Sequence, residues 1–509
     1  MEALSDRVWG FNREQRRLAR WFSYWQVAVI ATLLPIYAAP AMSLTLDEWS
    51  VLTASGAKAL DRGRYAESER LYSSALALAE KFGPEDDRLA ATLANLGTAY
   101  RMQGRPDEAE KLYRRAIDIL RSTSNNAPDE LAAALNNLAG IYRVSARFAE
   151  SETLYREALA LHERENTNET VNGARVLSNL GALYADQGRF NDAQLFYERA
   201  LAIQKKLLGP DHPDVAVTLS HCADLLVRQG RLQDAEALYR RAITIREKTL
   251  GPDYPQLADS LNALAMLYKV QTRYTEAEPL YRRSLQIFEK LGPEHPRVAD
   301  VLNNMGLLAA AEGKYSEARK RYERAIAIWQ KQPDNPDLAV GLSNLASLYT
   351  LEHKNGKAIE LYRKALAIDK AHFGPEHFRI AQDLNNLATA YQQSRHAGQA
   401  QELLQQSIAI YERALGPETP SLSDPLLNLA ALYVGEQRYS EAVELYGRAL
   451  PLRERMLGAD HPKLAKPLEN YALALRKIEE YAEAEKMDVR ATRIRVHMAL
   501  RADVGTSHQ

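Results

Sequence analysis

Apolar and small residues recur along this chain at spacings of three and four, in one stretch and then, after a polar break, in another. Leu135, Leu138, Ala139 and Tyr142 mark one such stripe, and Leu384, Leu387, Ala388 and Tyr391 repeat it. The stretch after the break has a stripe of its own: Phe190, Ala193, Tyr197, Ala200 and Ile203, or Tyr274, Ala277, Tyr281, Ser284 and Ile287. This spacing gathers side chains on one face of an α-helix. The break often reads Gln187-Gly188-Arg189 or Gln229-Gly230-Arg231, where glycine accepts the left-handed backbone that ends a helix. The pattern predicts helix, turn and helix, with no strand.

The pair repeats. The residue closing the first helix falls at 59, 100, 142, 184, 226, 268, 309, 349, 391, 433 and 475, a spacing of 40 to 42. Eleven registers so close to one period define a tandem array. Small residues such as Gly181, Gly306 and Ala388 in the first helix, and Ala193 and Ala277 in the second, let two axes approach. Tyrosines, among them Tyr72, Tyr113, Tyr155, Tyr197 and Tyr239, fill the space opposite and are expected in the core. A second punctuation joins the units: Leu208-Gly209-Pro210-Asp211-His212-Pro213 recurs with variation at 250–255, 291–296 and 457–462. Its glycine stops one helix, and its last proline suits the first position of the next. About twenty-two helices follow.

These small and aromatic positions resemble the tetratricopeptide repeat. The 42-residue period and the L-G-P-x-H-P linker are similar to its kinesin-light-chain-type subclass. The resemblance spans roughly residues 47–495 and implies an all-α, right-handed superhelical solenoid of about eleven helix-turn-helix units. No heptad coiled coil precedes the repeats, so transport on a motor is not implied. The array is more similar to bacterial tetratricopeptide proteins.

Composition narrows the picture. Hydrophobic residues at 46% and charged residues at 26% exclude a disordered chain. A net charge of −1 gives no electrostatic case for nucleic acid. Cys222 is the single cysteine, so no intrachain disulfide forms. Residues 1–42 differ from the rest: Arg13, Arg16, Arg17 and Arg20 precede an apolar run from Trp21 to Ala39 that ends in Ala39-Pro40-Ala41. Charge, apolar run and small-x-small site read as a secretory signal or a membrane anchor through residues 21–39. That places a solenoid of residues 43–495 outside the cytoplasm, periplasmic, extracellular or tethered, with 496–509 a flexible tail. The final unit carries Asp488 where others carry tyrosine, a polar cap.

First helices line the concave side of such a stack. Asparagine recurs there five residues before the closing position, at Asn95, Asn137, Asn179, Asn304, Asn344, Asn386, Asn428 and Asn470. Asparagine is a mediocre helix former, so these interior copies need a reason. An amide that donates and accepts suits the backbone of an extended peptide. A ladder bonding each helix to its neighbour explains them equally well. His221 and Ala263 interrupt the series. Arg101, Arg143 and Lys269 add positive charge to this face, and Ser343, Ser347, Thr350, Asn385, Thr389 and Gln392 make its later half neutral and polar.

Catalytic and metal readings find no support. His212, His295, His377 and His461 stand in separate linkers, where packing explains them better than metal binding. Cys222 occupies a leucine position, and His162-Glu163 lacks the second histidine of a zinc-protease helix. The expected function is a non-enzymatic scaffold without cofactor or metal that binds a protein or peptide segment in its groove. The alternative is an envelope component that self-associates through convex or terminal surfaces.

Overall fold

The computed structural model describes residues 39–122, 127–145, 147–164, 170–332 and 335–506. The leader at residues 1–38, with its signal or anchor reading, lies outside the described residues. Among the described residues no helix is long and apolar enough to cross a membrane. The chain divides into two units, Met1–Val51 and Leu52–Gln509. Of the first, the described residues from 39 onward are helical.

The second unit is an all-α solenoid. Helices alternate in pairs, such as Asp87–Met102 with Pro106–Ser122, Pro255–Val270 with Tyr274–Glu289, and Ala465–Lys477 with Tyr481–Thr506. No strand occurs among the described residues. The last helix runs to Thr506, so all but the end of the predicted tail is helical. Consecutive first helices approach one another directly, and consecutive second helices do not to the same degree. The first helices therefore form the inner side.

Within a pair, the predicted tyrosines are core. Tyr72, Tyr113, Tyr155, Tyr281, Tyr322 and Tyr446 are essentially inaccessible. Some of them press so closely on the first helix that only glycine fits. A Cβ on Gly306 would stand 2.6 Å from the Tyr322 ring, and one on Gly181 2.7 Å from Tyr197. Where the small residue of the second helix is serine, its hydroxyl bonds a first-helix carbonyl. Ser68 donates to Gly56 at 3.0 Å and Ser151 to Ala139 at 2.8 Å. The buried hydroxyls thus have partners.

The turn inside each pair has one geometry throughout. The amide five residues after the closing position donates to the closing carbonyl, as Arg105 does to Tyr100 and Arg273 to Tyr268, at 2.8–3.0 Å in all eleven units. This six-to-one bond needs a left-handed residue just before it. Gly63, Gly104, Gly188, Gly230 and Gly313 supply it, but Thr272, His353, Arg395, Gln437 and Glu479 adopt φ of 58–70° without being glycine. The turn is therefore imposed by the packed helices and not by glycine alone.

The arginine that ends the Gln-Gly-Arg break joins one unit to the next. Its guanidinium lies over the closing tyrosine ring: Arg105 on Tyr100, Arg147 on Tyr142, Arg189 on Tyr184, Arg273 on Tyr268 and Arg438 on Tyr433, at 3.7–4.1 Å. Arg273 then bonds Glu276 of its own second helix at 2.6 Å and Glu236 of the preceding unit at 2.7 Å. The Tyr268 hydroxyl donates to that same Glu236 at 2.9 Å and accepts from Arg240 at 2.7 Å. Tyr142 and Tyr184 repeat the arrangement with Glu110 and Arg114, and with Glu152 and Arg156. Ring, guanidinium and carboxylate form a clasp across the joint.

Thr272 is β-branched and sits at φ 60°, a conformation that disfavours it by about 1 kcal/mol. Thr272→Gly is expected to raise unfolding stability by about that amount, read from urea midpoints. A neutral or destabilising result would show that the turn is relaxed with threonine in place.

Candidate functional site

The inner face is built by positions that cannot enter the core. Along each first helix the residues nine, five and two before the closing residue, and two after it, fall on the side opposite the buried stripe. Apart from Ala182, which is buried, those among the described residues are exposed or half-buried.

The asparagine series divides in two on this face. Asn179 donates to Asn136 at 2.8 Å, Asn304 to Asn262 at 3.1 Å, Asn344 to Asn303 at 2.8 Å and Asn428 to Asn385 at 2.9 Å. Each bond runs from one unit to the asparagine six before the closing residue of the preceding unit. His221 does not break the series, because its Nδ1 pairs with the Ser178 hydroxyl of the preceding unit at 3.1 Å. The remaining amides lack that partner type. Thr53, Ala94 and Ser343 stand where Asn95, Asn137 and Asn386 would need an asparagine, and Asn470 lies beside Tyr446 instead. Asn95 is exposed, and Asn137 and Asn386 are half-buried. Part of this division was signalled in the sequence: the doubled Asn136-Asn137, Asn303-Asn304 and Asn385-Asn386 each bond the next unit, whereas Asn262, which also does, stands before Ala263.

The arginines of the face differ as well. Arg143 is not a free charge, because it pairs with Asp186 of the next unit, which Arg228 of the following unit also grips at 2.9 Å. Arg101 is exposed, and no carboxylate pairs with it among the described residues. Lys269 is half-buried, and burial, helped by Lys463, lowers its pKa. His221 is pushed down to about 4, first by burial and then by Arg143 and Arg246, so it is neutral at ordinary pH. Several polar residues of the later half bond within their own unit: Ser347 to Tyr362 at 2.7 Å, Thr350 to the Ala346 carbonyl at 3.0 Å and Thr389 to the Asn385 carbonyl at 3.0 Å. They are self-satisfied.

Apolar side chains open on the same face. Val144, Val270 and Leu351 occupy the position two after the closing residue and are 70%, 53% and 57% exposed. Met266, Val217 and Leu473 also stand exposed on first-helix face positions. The sequence reading missed them because the core stripe ends two residues earlier, at the closing residue, and only the geometry separates the two faces.

Arg101 also lines a cavity of about 500 Å³ with Tyr65, Val144, Arg297, Asp337 and Arg379. Tyr65 meets His295 with ring centroids 5.6 Å apart. Units far apart in sequence come together here, which no repeat pattern could signal.

The linker histidines cap helices. Nδ1 of His212, His295, His377 and His461 accepts the amide of Asp214, Arg297, Arg379 and Lys463 respectively, at 3.1–3.3 Å. Asp86 and Thr170 perform the same service in units without the histidine. Cys222 is half-buried, and burial pushes its thiol up to about 12, so it is no ready nucleophile. Among the described residues no group of three acidic, histidine or cysteine side chains is placed to hold a metal.

A bond between amides on adjacent units contributes about 0.5–1.5 kcal/mol. A double-mutant cycle of Asn303→Ala and Asn344→Ala should therefore show a coupling of about 1 kcal/mol in unfolding free energy. Additive costs would mean that the amides do not interact.

A family model described as "Tetratricopeptide repeat" matches residues 52–122, 130–206, 174–248, 214–290, 256–331, 337–413 and 421–495. No curated protein matches the chain. Among solved structures it is similar to BtubC (BKLC) from P. vanneervenii, at 23% identity over 45% of this chain and 92% of that one, with a TM-score of 0.39. It is also similar to a putative kinesin light chain of Podosopora anserina with nearly identical TPR-like repeats, and to a single-substitution variant of that protein. Both share 27% identity over 40% of this chain and 97% of theirs, with TM-scores of 0.34 and 0.35.

Proposed function

We propose, from the premise that the chain belongs to the tetratricopeptide repeat family, that it is a non-enzymatic scaffold holding an extended segment of a partner protein on its inner face. The observation that carries this reading is that exposed Val144, Val270 and Leu351 recur at one repeat position of the inner face, near the half-buried amides Asn137 and Asn386 that have no asparagine partner in the preceding unit. Apolar side chains left in register on a face already excluded from the core gain nothing for the fold. Against an extended chain they supply apolar contact, and the amides supply main-chain hydrogen bonds. The bonded amides Asn179, Asn304, Asn344 and Asn428 serve the frame behind them. Arg101 offers an unpaired cation at one end, whereas Arg143 is already neutralised by Asp186.

The test uses Val270→Asp combined with Leu351→Asp. Both positions are exposed, so the unfolding midpoint is expected to change by no more than about 0.5 kcal/mol. Partner capture from cell extracts should fall at least about tenfold, the equivalent of about 1.4 kcal/mol. A partner captured equally well by the folded variant would move the site off the inner face. Capture of a second copy of the chain through other surfaces would favour self-assembly.

A further inference from the structure

The second helix Asn355–Phe373 and the next first helix Phe378–Gln393 meet through two aspartates. Asp369 is 2% exposed and Asp383 6% exposed. The Arg379 Nε donates to Asp369 Oδ2 at 3.1 Å. Asp369 Oδ1 and Asp383 Oδ2 are buried and take no bond from any other donor. The two carboxyl groups are within hydrogen-bonding reach of each other. One guanidinium balances one negative charge, and a second charge in the same buried contact would stand uncompensated.

The same two helix positions are filled differently at other joints. Thr218 donates to Gln204 at 2.9 Å, Arg246 donates to Ser260, and the Trp329 ring lies where a Cβ on Gly341 would be 2.7 Å away. Neutral hydrogen bonds, a cation with a hydroxyl and a large–small fit all satisfy the position. None of these three sets like charges together.

We propose that Asp369 and Asp383 share one proton, and that this proton locks the joint, making it a pH-responsive hinge within the solenoid.

The surroundings favour a single retained proton. Arg379 faces the pair from the start of the first helix, with His377 beside it, and His372 faces it from the end of the second. His377 is held down to about 4 by burial and then by Arg379 and His372, so it brings no charge. Asp337 of the preceding joint adds negative field on Arg379 and His372, and Tyr362 and Tyr411, the latter beside Asp424, face Asp383. Burial, and then Asp369, raises Asp383 above the ordinary carboxylate range; burial raises Asp369 too, against the pull of Arg379. A raised carboxyl pKa means that the folded joint prefers the proton-bound form. Its stabilisation is full below the unfolded carboxylate value of about 4 and is lost as pH rises through the raised value. Each unit touches mainly its neighbours, so a loosened joint changes the angle between units before it unfolds them.

Amide hydrogen exchange on the full chain, corrected for intrinsic rate, tests this at about pH 5.5 and about pH 8.5. Protection across residues 355–393 should fall about tenfold at the higher pH, the equivalent of one unit of pKa shift. The Gln204–Thr218 joint at residues 190–228 should keep its protection. Asp383→Asn, which keeps a hydrogen-bond donor and removes the charge, should make protection at 355–393 independent of pH. Asp369→Asn provides the same readout should that variant not fold. An unchanged native joint, an equal fall at 190–228, or a fall that persists in the asparagine variant would each overturn the proposal.

Discussion

The clasp between a closing tyrosine, the arginine five residues later and a glutamate of the preceding unit is the polar contact that ties the joints at Tyr100, Tyr142, Tyr184 and Tyr268. A helix pair of about 40 residues cannot bury its own apolar faces, so every pair is stable only through its joints. At Tyr268 one ring is covered by Arg273, whose guanidinium also holds Glu276 and Glu236, while the hydroxyl holds Glu236 and Arg240. Three elements of two units are tied at one point. An exposed ion pair alone would contribute little, but stacking on the ring fixes the guanidinium and removes much of its freedom before it pairs.

Where the tyrosine is missing, the clasp changes in the expected direction. Leu226 closes its unit, and Arg231 pairs with Asp234 of its own helix. Ala309 closes another, and Lys314 pairs with Glu312 beside it. Where the arginine is missing instead, His396 stands against Tyr391 at 6.0 Å between ring centroids, a weaker version of the same contact. The joints are therefore unequal along the solenoid. The Asp369–Asp383 contact adds a second source of inequality that depends on pH.

The helix pairs, the buried tyrosine ladder and the order of units were legible in the sequence, because repetition displays each packing rule many times over. Gly306 and Tyr322 exemplify this, since a small residue opposite a large one needs no coordinates to be recognised. The arginine of the Gln-Gly-Arg break was legible only as part of a helix stop. Its role across the joint depends on which ring it lies over, and that is a property of two units. The asparagine series was half legible: a bridging ladder and an open surface were both written in it, and the neighbour decides which holds at each residue. Asn344 has Asn303 behind it, whereas Asn386 has Ser343. The meeting of Tyr65 with His295 had no sequence signal, because it follows from the accumulated twist of several units.

The most direct measurement compares Arg273→Ala with Arg231→Ala by urea unfolding of the full chain. Both arginines occupy the same turn position, but only Arg273 has the ring and the preceding glutamate. The account predicts a loss of about 1–2 kcal/mol for Arg273→Ala and less than about 0.5 kcal/mol for Arg231→Ala. Equal losses would contradict it, because the arginine would then serve only to end its own helix.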